Sequence, residues 1–124
     1  MDEMNIAATK LRLVLTGFAD LARRETRAED LACRYGGEEF VLLLPGAQGV
    51  QAAARMGKLL QKFQALRFSG ADGNGFACSF SAGVTVSHSP QDTLAALLAQ
   101  ADSALYAAKQ AGRGRVEMAR PKRA

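Results

Sequence analysis

Arg34-Tyr35-Gly36-Gly37-Glu38-Glu39-Phe40 is the stretch on which the reading of this chain turns. Strand-like runs flank it, residues 31–35 before and 40–44 after. Gly36-Gly37 predicts a two-residue hairpin turn of type I′, which needs positive φ at both central positions. Two adjacent carboxylates, Glu38 and Glu39, stand directly after that turn. Like charges side by side repel unless a cation visits them, so a solvated tip and a cation site are both open readings here. The run 40–44 is apolar at every position, which predicts a strand covered on both faces. Pro45-Gly46 closes it.

Upstream, residues 5–24 predict a helix. Leu11, Val14, Leu15, Phe18 and Leu21-Ala22 recur at three- and four-residue steps and form one apolar stripe. Gly17 weakens its middle by about 1 kcal/mol relative to alanine. Arg23, Arg24 and Arg27 crowd its end, where cations complement the helix dipole. Residues 25–30 are a charged connection. Downstream, residues 48–66 predict a second helix with Val50, Ala53, Met56-Gly57, Leu60 and Phe63 on its buried face. A short strand at 67–69, a glycine-rich turn at 70–75 and a long alternating strand at 76–87 follow. Ser89, Pro90 and Asp92 predict the start of a last helix. Leu94, Leu97, Leu98, Ala101, Leu105 and Ala108 form its apolar face, and Gly112 stops it. Residues 115–118 complete the chain with a strand. The order αββα(β)βαβ predicts an α+β fold, an antiparallel-rich sheet covered by helices, opening on a helix.

The 124 residues suit one domain, 48% apolar and 23% charged, as in ordinary soluble globular proteins. No apolar run reaches the ~18 residues of a membrane span. Met1-Asp2-Glu3 lacks the basic start of a secretory signal, so a cytoplasmic protein without a membrane segment is expected. Cys33 and Cys78, with no CxxC and one histidine, predict reduced, buried structural thiols rather than a zinc site. The net charge of +4 gathers late, at Arg113, Arg115, Arg120, Lys122 and Arg123. No nucleic-acid-binding motif accompanies these cations, and residues 121–124 read as a solvated basic tail.

Four segments together resemble the GGDEF domains, the catalytic domains of diguanylate cyclases. The opening stretch resembles the family signature in its GGEEF form. Ser81-Ala82-Gly83-Val84 resembles its Ser-Ile-Gly-Val strand. Residues 101–109, Ala-Asp-Ser-Ala-Leu-Tyr-Ala-Ala-Lys, resemble its closing helix, and Gly112-Arg113-Gly114 its Gly-Arg-Asn ending. The resemblance implies a nucleotide-cyclase-like fold with a ferredoxin-like core over residues 1–120. It also implies chemistry that joins two GTP molecules into cyclic di-GMP, with one GTP on each of two antiparallel domains. Mg²⁺, or Mn²⁺, is the implied cofactor, and GTP, cyclic di-GMP and a homodimer, conventional or domain-swapped, are the implied partners. On this resemblance Glu38 is the metal ligand and Glu39 assists at the metal or the attacking hydroxyl. Gly36 and Gly37 let the nucleotide approach the backbone. Lys109 and Arg113 match the phosphate contacts; four residues apart, they are expected on one helix face. Arg27 and Asp30 match the family's Arg-x-x-Asp product site, with Lys58 as its secondary cation.

Other family motifs have no counterpart here. The Asp-x-Asp-x-Phe-Lys segment, the Asn-Asp pair and the Gly-His-x-x-Gly-Asp run, which supply the second metal carboxylate and the guanine contacts, are not found ahead of the signature. Residues 1–10 match nothing, and Gly114 replaces an asparagine. The expectation is a domain lacking the family's first strand and weak or inactive as a cyclase in this form. Two alternatives stand beside the enzyme: a cyclic di-GMP receptor using the Arg-x-x-Asp site, and a dimerisation piece without a ligand.

Overall fold

The apolar stripe at Val14, Leu15, Phe18, Leu21 and Ala22 winds into α1 (Ala8–Glu25), and all five side chains are buried. The computed structural model describes residues 2–3, 8–70 and 73–119. The expected helix start at residue 5, part of the glycine-rich turn, the side chain of Leu11 and the tail 121–124 lie outside the described residues. Ahead of α1 stands β1 (Asp2–Glu3), paired in parallel with β6 (Cys78–Ser79). The chain therefore opens on a strand, not on the expected helix; two residues without apolar alternation gave no signal of it.

Two compact units divide the chain, Met1–Gly46 with Lys58–Ser79, and Ala47–Gly57 with Phe80–Ala124. In the first, β2 (Leu31–Arg34) and β3 (Phe40–Leu43) form an antiparallel pair that matches Leu31 to Leu43 and Arg34 to Phe40. A second antiparallel pair joins β4 (Phe68–Ser69) to β5 (Gly75–Phe76). The later half of α2 (Gly49–Ala65) contributes Leu59, Leu60 and Phe63 to a core shared with Val14, Phe18 and Cys78. Phenylalanine rings run through it in series: Phe40 to Phe18 at 4.7 Å, Phe18 to Phe63 at 5.5 Å, Phe63 to Phe68 at 6.1 Å, Phe68 to Phe76 at 5.4 Å. Gly17 has a packing reason, because a Cβ there would lie 2.6 Å from the ring of Phe68.

In the second unit, β7 (Ala82–Val84) pairs in parallel with β8 (Val116–Met118), and α3 (Leu94–Gln110) packs on them. Ala104 and Ala108 are buried on α3. A Cβ on Gly83 would stand 2.1 Å from the carbonyl oxygen of Ala101, so strand and helix backbones are in direct contact there. The thread of helices and hairpins is of the expected α+β class, with the strands of the described residues in four two-stranded ladders, two antiparallel and two parallel. None of the described helices is long and apolar enough to cross a membrane.

Several local expectations are corrected. The long strand expected at 76–87 is three short ones, each with a different partner, because alternation specifies a face and not a neighbour. Ser79 departs from that alternation: it is buried and its Oγ accepts from Gln64 Nε2 at 2.8 Å. β3 is half-buried rather than covered on both faces, with Leu43 exposed, since β2 and β3 pair only with each other among the described residues. Cys33 is exposed on β2, and only Cys78 is a buried thiol. Val50 and Leu94, assigned to buried faces, are exposed in the first turns of their helices. α3 starts at the N-cap Thr93, whose hydroxyl accepts from Ala96 N at 3.1 Å. Asp92 is not part of that cap, because its Oδ2 accepts from the amides of His88 (2.8 Å) and Ser89 (3.1 Å) in the preceding turn.

Candidate active site

Pairing of Arg34 with Phe40 fixes a loop of five residues, 35–39, in place of the expected two-residue turn. The Glu39 carbonyl closes it by accepting from Tyr35 N at 2.8 Å and Gly36 N at 3.3 Å. Gly36 and Gly37 are absent from the left-handed region, which holds Gly46, Gly73, Gly112 and Gly114. The longer loop spreads the reversal over more residues, so a type I′ glycine pair is not needed. Glu38 and Glu39 accordingly lie within the loop, both exposed.

Arg34 reaches back over the tip. Its guanidinium donates from Nε to the Gly36 carbonyl at 3.2 Å and from Nη2 to the Gly37 carbonyl at 2.5 Å. A Cβ on Gly36 would meet Glu39 Oε1 at 3.5 Å, an ordinary contact, and on Gly37 it would meet nothing within 4 Å. Neither glycine is demanded by the chain's own conformation or packing. At the base of the loop, Phe40 seats the hairpin on Phe18 of α1.

No group of three histidine, cysteine or acidic side chains among the described residues forms a closed metal cage. Two exposed carboxylates at one tip fit a different kind of site. Mg²⁺ keeps several waters and is held by one or two carboxylates together with phosphate oxygens. Glu38 and Glu39 are hard oxygen donors of that type.

In the second unit, Lys109 lies exposed in the last turn of α3. Ala111 caps the helix and Gly112 takes φ 120°. Gly112 N donates to Lys109 O at 3.4 Å and Arg113 N to Ala108 O at 2.9 Å, the two bonds of a Schellman motif. Lys109 and Arg113 therefore do not share a helix face, as their spacing had suggested, because Gly112 ends the helix between them. Arg113 itself has φ 63°, the one positive-φ residue other than glycine among the described residues. Such a conformation costs about 1–3 kcal/mol and must be held by its surroundings. The next residue is held from outside the turn: Gly114 N donates to Ser81 Oγ at 3.0 Å.

Arg27 and Asp30 close a turn on each other in the first unit. Arg27 N donates to Asp30 Oδ2 at 2.8 Å, and Asp30 N donates to Arg27 O at 3.0 Å. The Arg27 side chain is exposed, and Asp30 is half-buried with one oxygen engaged in the turn. Lys58, exposed on α2, acts on Glu25: the Glu25 carboxyl is held below its usual range by a hydrogen bond from Lys62, then by the charges of Lys62, Lys58 and Arg24.

Three supporting residues were not singled out from the sequence. Arg34 and Phe40 stood inside the opening stretch and Ser81 inside a motif. Arg34 and Ser81 bond to backbone atoms, which leave no side-chain pattern to read. Phe40 was legible only as an apolar position.

With this geometry in place, comparison with known proteins is specific. The sequence model of the diguanylate cyclase GGDEF domain matches residues 13–115. The chain is 40% identical over 103 residues to diguanylate cyclase TpbB of Pseudomonas aeruginosa, covering 82% of this chain and 23% of the relative. It thus spans about a quarter of the length of such curated relatives. The crystal structure of the GGDEF domain of DgcB from Caulobacter crescentus in complex with c-di-GMP superposes with a TM-score of 0.83 at 25% identity, over 90% of this chain and 66% of that one. The structure of the active GGEEF domain of a diguanylate cyclase from Vibrio cholerae gives 0.77 at 25% identity, over 94% and 73%.

Proposed function

The chain belongs to the GGDEF family of diguanylate cyclase domains, and on that premise we propose that its 36–39 tip binds GTP for cyclic di-GMP signalling. The observation that carries this reading is the pair of unneeded glycines. Gly37 could bear a methyl group without touching the chain, which leaves room for a ligand against its backbone. Glu38 holds the Mg²⁺ or Mn²⁺ ion, and Glu39 assists at the metal or the attacking hydroxyl. A bound divalent ion supplies charge stabilisation to phosphoryl transfer. Gly36 and Gly37 admit the nucleotide to the backbone, while Lys109 and Arg113 contact phosphate. The product joins two GTP molecules, so the working unit is a homodimer of such domains.

This chain alone is a weak or inactive cyclase. The segments that the family resemblance assigns to a second metal carboxylate and to the guanine contacts have no counterpart among these 124 residues. The test is isothermal calorimetry with GTP and Mg²⁺, alongside chromatographic detection of cyclic di-GMP. Expected are measurable GTP binding, its loss in Glu38→Gln, and little product. Absence of GTP binding would remove the assignment of the tip, and rapid product formation would overturn the weak-cyclase reading.

The Arg27–Asp30 turn supports a second reading, reception of cyclic di-GMP. Arginine can bond bidentately to the O6 and N7 edge of guanine, and an aspartate oxygen can accept from guanine N–H groups. The turn is built by the main-chain amide of residue 27, so Arg27→Ala removes the guanidinium and keeps the bond. Heats of cyclic di-GMP binding that vanish in Arg27→Ala support this role. Equal heats in both proteins, or none in either, refute it.

A further inference from the structure

We propose that Arg34 is a positioning residue whose forked side chain sets the tip so that two successive backbone N–H groups face the ligand. The inference deepens the assignment of the 36–39 tip and rests on it for the identity of that ligand, but not for the conformational lock itself.

Five residues close this loop with no left-handed glycine, and only Tyr35 and Gly36 donate inward, both to the Glu39 carbonyl. The remaining stretch of the tip is fixed by Arg34, whose Nε and Nη2 take the carbonyls of Gly36 and Gly37. All peptide bonds of the described residues are trans. In a trans peptide the C=O and the following N–H point in opposite directions. With both carbonyls turned to one guanidinium, the N–H groups of Gly37 and Glu38 turn away from it together. Neither amide is engaged elsewhere in the chain among the described residues. The Cβ direction of Gly37 is open as well, since a Cβ there would meet nothing within 4 Å. Two such donors beside two carboxylates suit the phosphate oxygens and the metal ion of one nucleotide.

Arginine is required for this by geometry. Its planar fork meets two carbonyls at once, whereas a lysine ammonium offers the charge without the fork. Arg34 is exposed, so its loss leaves the core untouched.

The experiment compares the full chain with Arg34→Met, Arg34→Lys and Glu38→Gln. ¹⁵N relaxation without ligand reads the order of the Gly36, Gly37 and Glu38 amides, and calorimetry reads binding of a non-hydrolysable GTP analogue with Mg²⁺. Both Arg34 variants are expected to loosen the three amides, to weaken binding about tenfold, and to melt within about 2 °C of the parent, as surface changes do. Glu38→Gln is expected to weaken binding with the amides still ordered, which separates contact from positioning. Amides as ordered in Arg34→Met as in the parent, or full rescue by Arg34→Lys, would overturn the proposal. Failure of the parent to bind the analogue would remove the nucleotide assignment, and the relaxation data would still decide the lock.

Discussion

At Gly83 the backbone of β7 lies so close to α3 that a methyl group has no place. Its Cβ would fall 2.1 Å from Ala101 O and 2.4 Å from Leu105 N, both helix backbone atoms that cannot swing aside. Gly83→Ala should therefore cost about 3 kcal/mol or more in urea denaturation; an unchanged midpoint would contradict the contact. Gly17 differs, since the obstacle is the ring of Phe68, a side chain with some freedom. There alanine recovers about 1 kcal/mol of helix propensity and loses ring packing of about 1–3 kcal/mol, so a smaller net loss is expected. Charge at the residue scale predicts an acid sensitivity. Asp92 is held below its usual range first by the His88 amide, then by the Ser87 hydroxyl and the Ser89 amide. A carboxyl depressed in the folded state stabilises fully above its unfolded value, and that contribution is lost as the pH falls through the folded one. The loss falls below about pH 4. Thermal melts across the acid range should show a steeper decline for the parent than for Asp92→Asn, and parallel curves would dismiss the effect. Glu25, depressed first by its hydrogen bond from Lys62, follows the same sign in the same range.

The hairpin loop makes a sharper prediction at the scale of elements. Gly37 has no left-handed φ and an open Cβ direction, so Gly37→Ala should leave stability unchanged or raise it by about 0.4–1 kcal/mol. If the tip binds GTP as proposed, the same change should abolish that binding, because the methyl group would take room proposed for the nucleotide. Loss of stability together with binding would mean that the glycine serves the fold after all. What the sequence hid here is register. The residues 40–44 are all apolar, and a run without a period cannot say which of its members faces Arg34. The dipeptide Gly-Gly suggested a two-residue turn, while the pairing of Arg34 with Phe40 made it five. A similar competition moved the start of α3. Ser89 and Thr93 are both good caps, and the carboxylate of Asp92 sealed the earlier turn, leaving the helix to Thr93. At its other end Gly112 was legible as a stop. Its consequence, Arg113 in the left-handed region, goes with hydrogen bonds that Arg113 N donates to Ala108 O and Gly114 N to Ser81 Oγ, which no periodicity shows.

For the molecule as a whole, α1 and the family membership were legible because each rests on several residues in register: five buried positions in the helix, four motifs in order along the chain. Exposure of the hairpin was not, because an apolar run reads as buried whatever becomes of its neighbours. Leu31 and Leu43 stand opposite each other at one end of the ladder at 54% and 39% exposure, and Tyr35, just past its other end, is at 62%. Among the described residues β2 and β3 have no partners but each other, and β2, Leu-Ala-Cys-Arg, carries one charge at its end. A two-stranded ribbon whose edge is uncharged except at one end is a template for pairing with another chain. The homodimer proposed for this domain should accordingly draw on this hairpin when the chain is isolated. Sedimentation velocity across a range of concentrations should show reversible association of the parent. Leu31→Lys, which places a charge on the exposed edge and removes no buried contact, should shift it to monomer with little change in melting temperature. Unchanged association in Leu31→Lys would assign self-contact to another surface, and a monomeric parent at every concentration would leave the hairpin without a role in pairing.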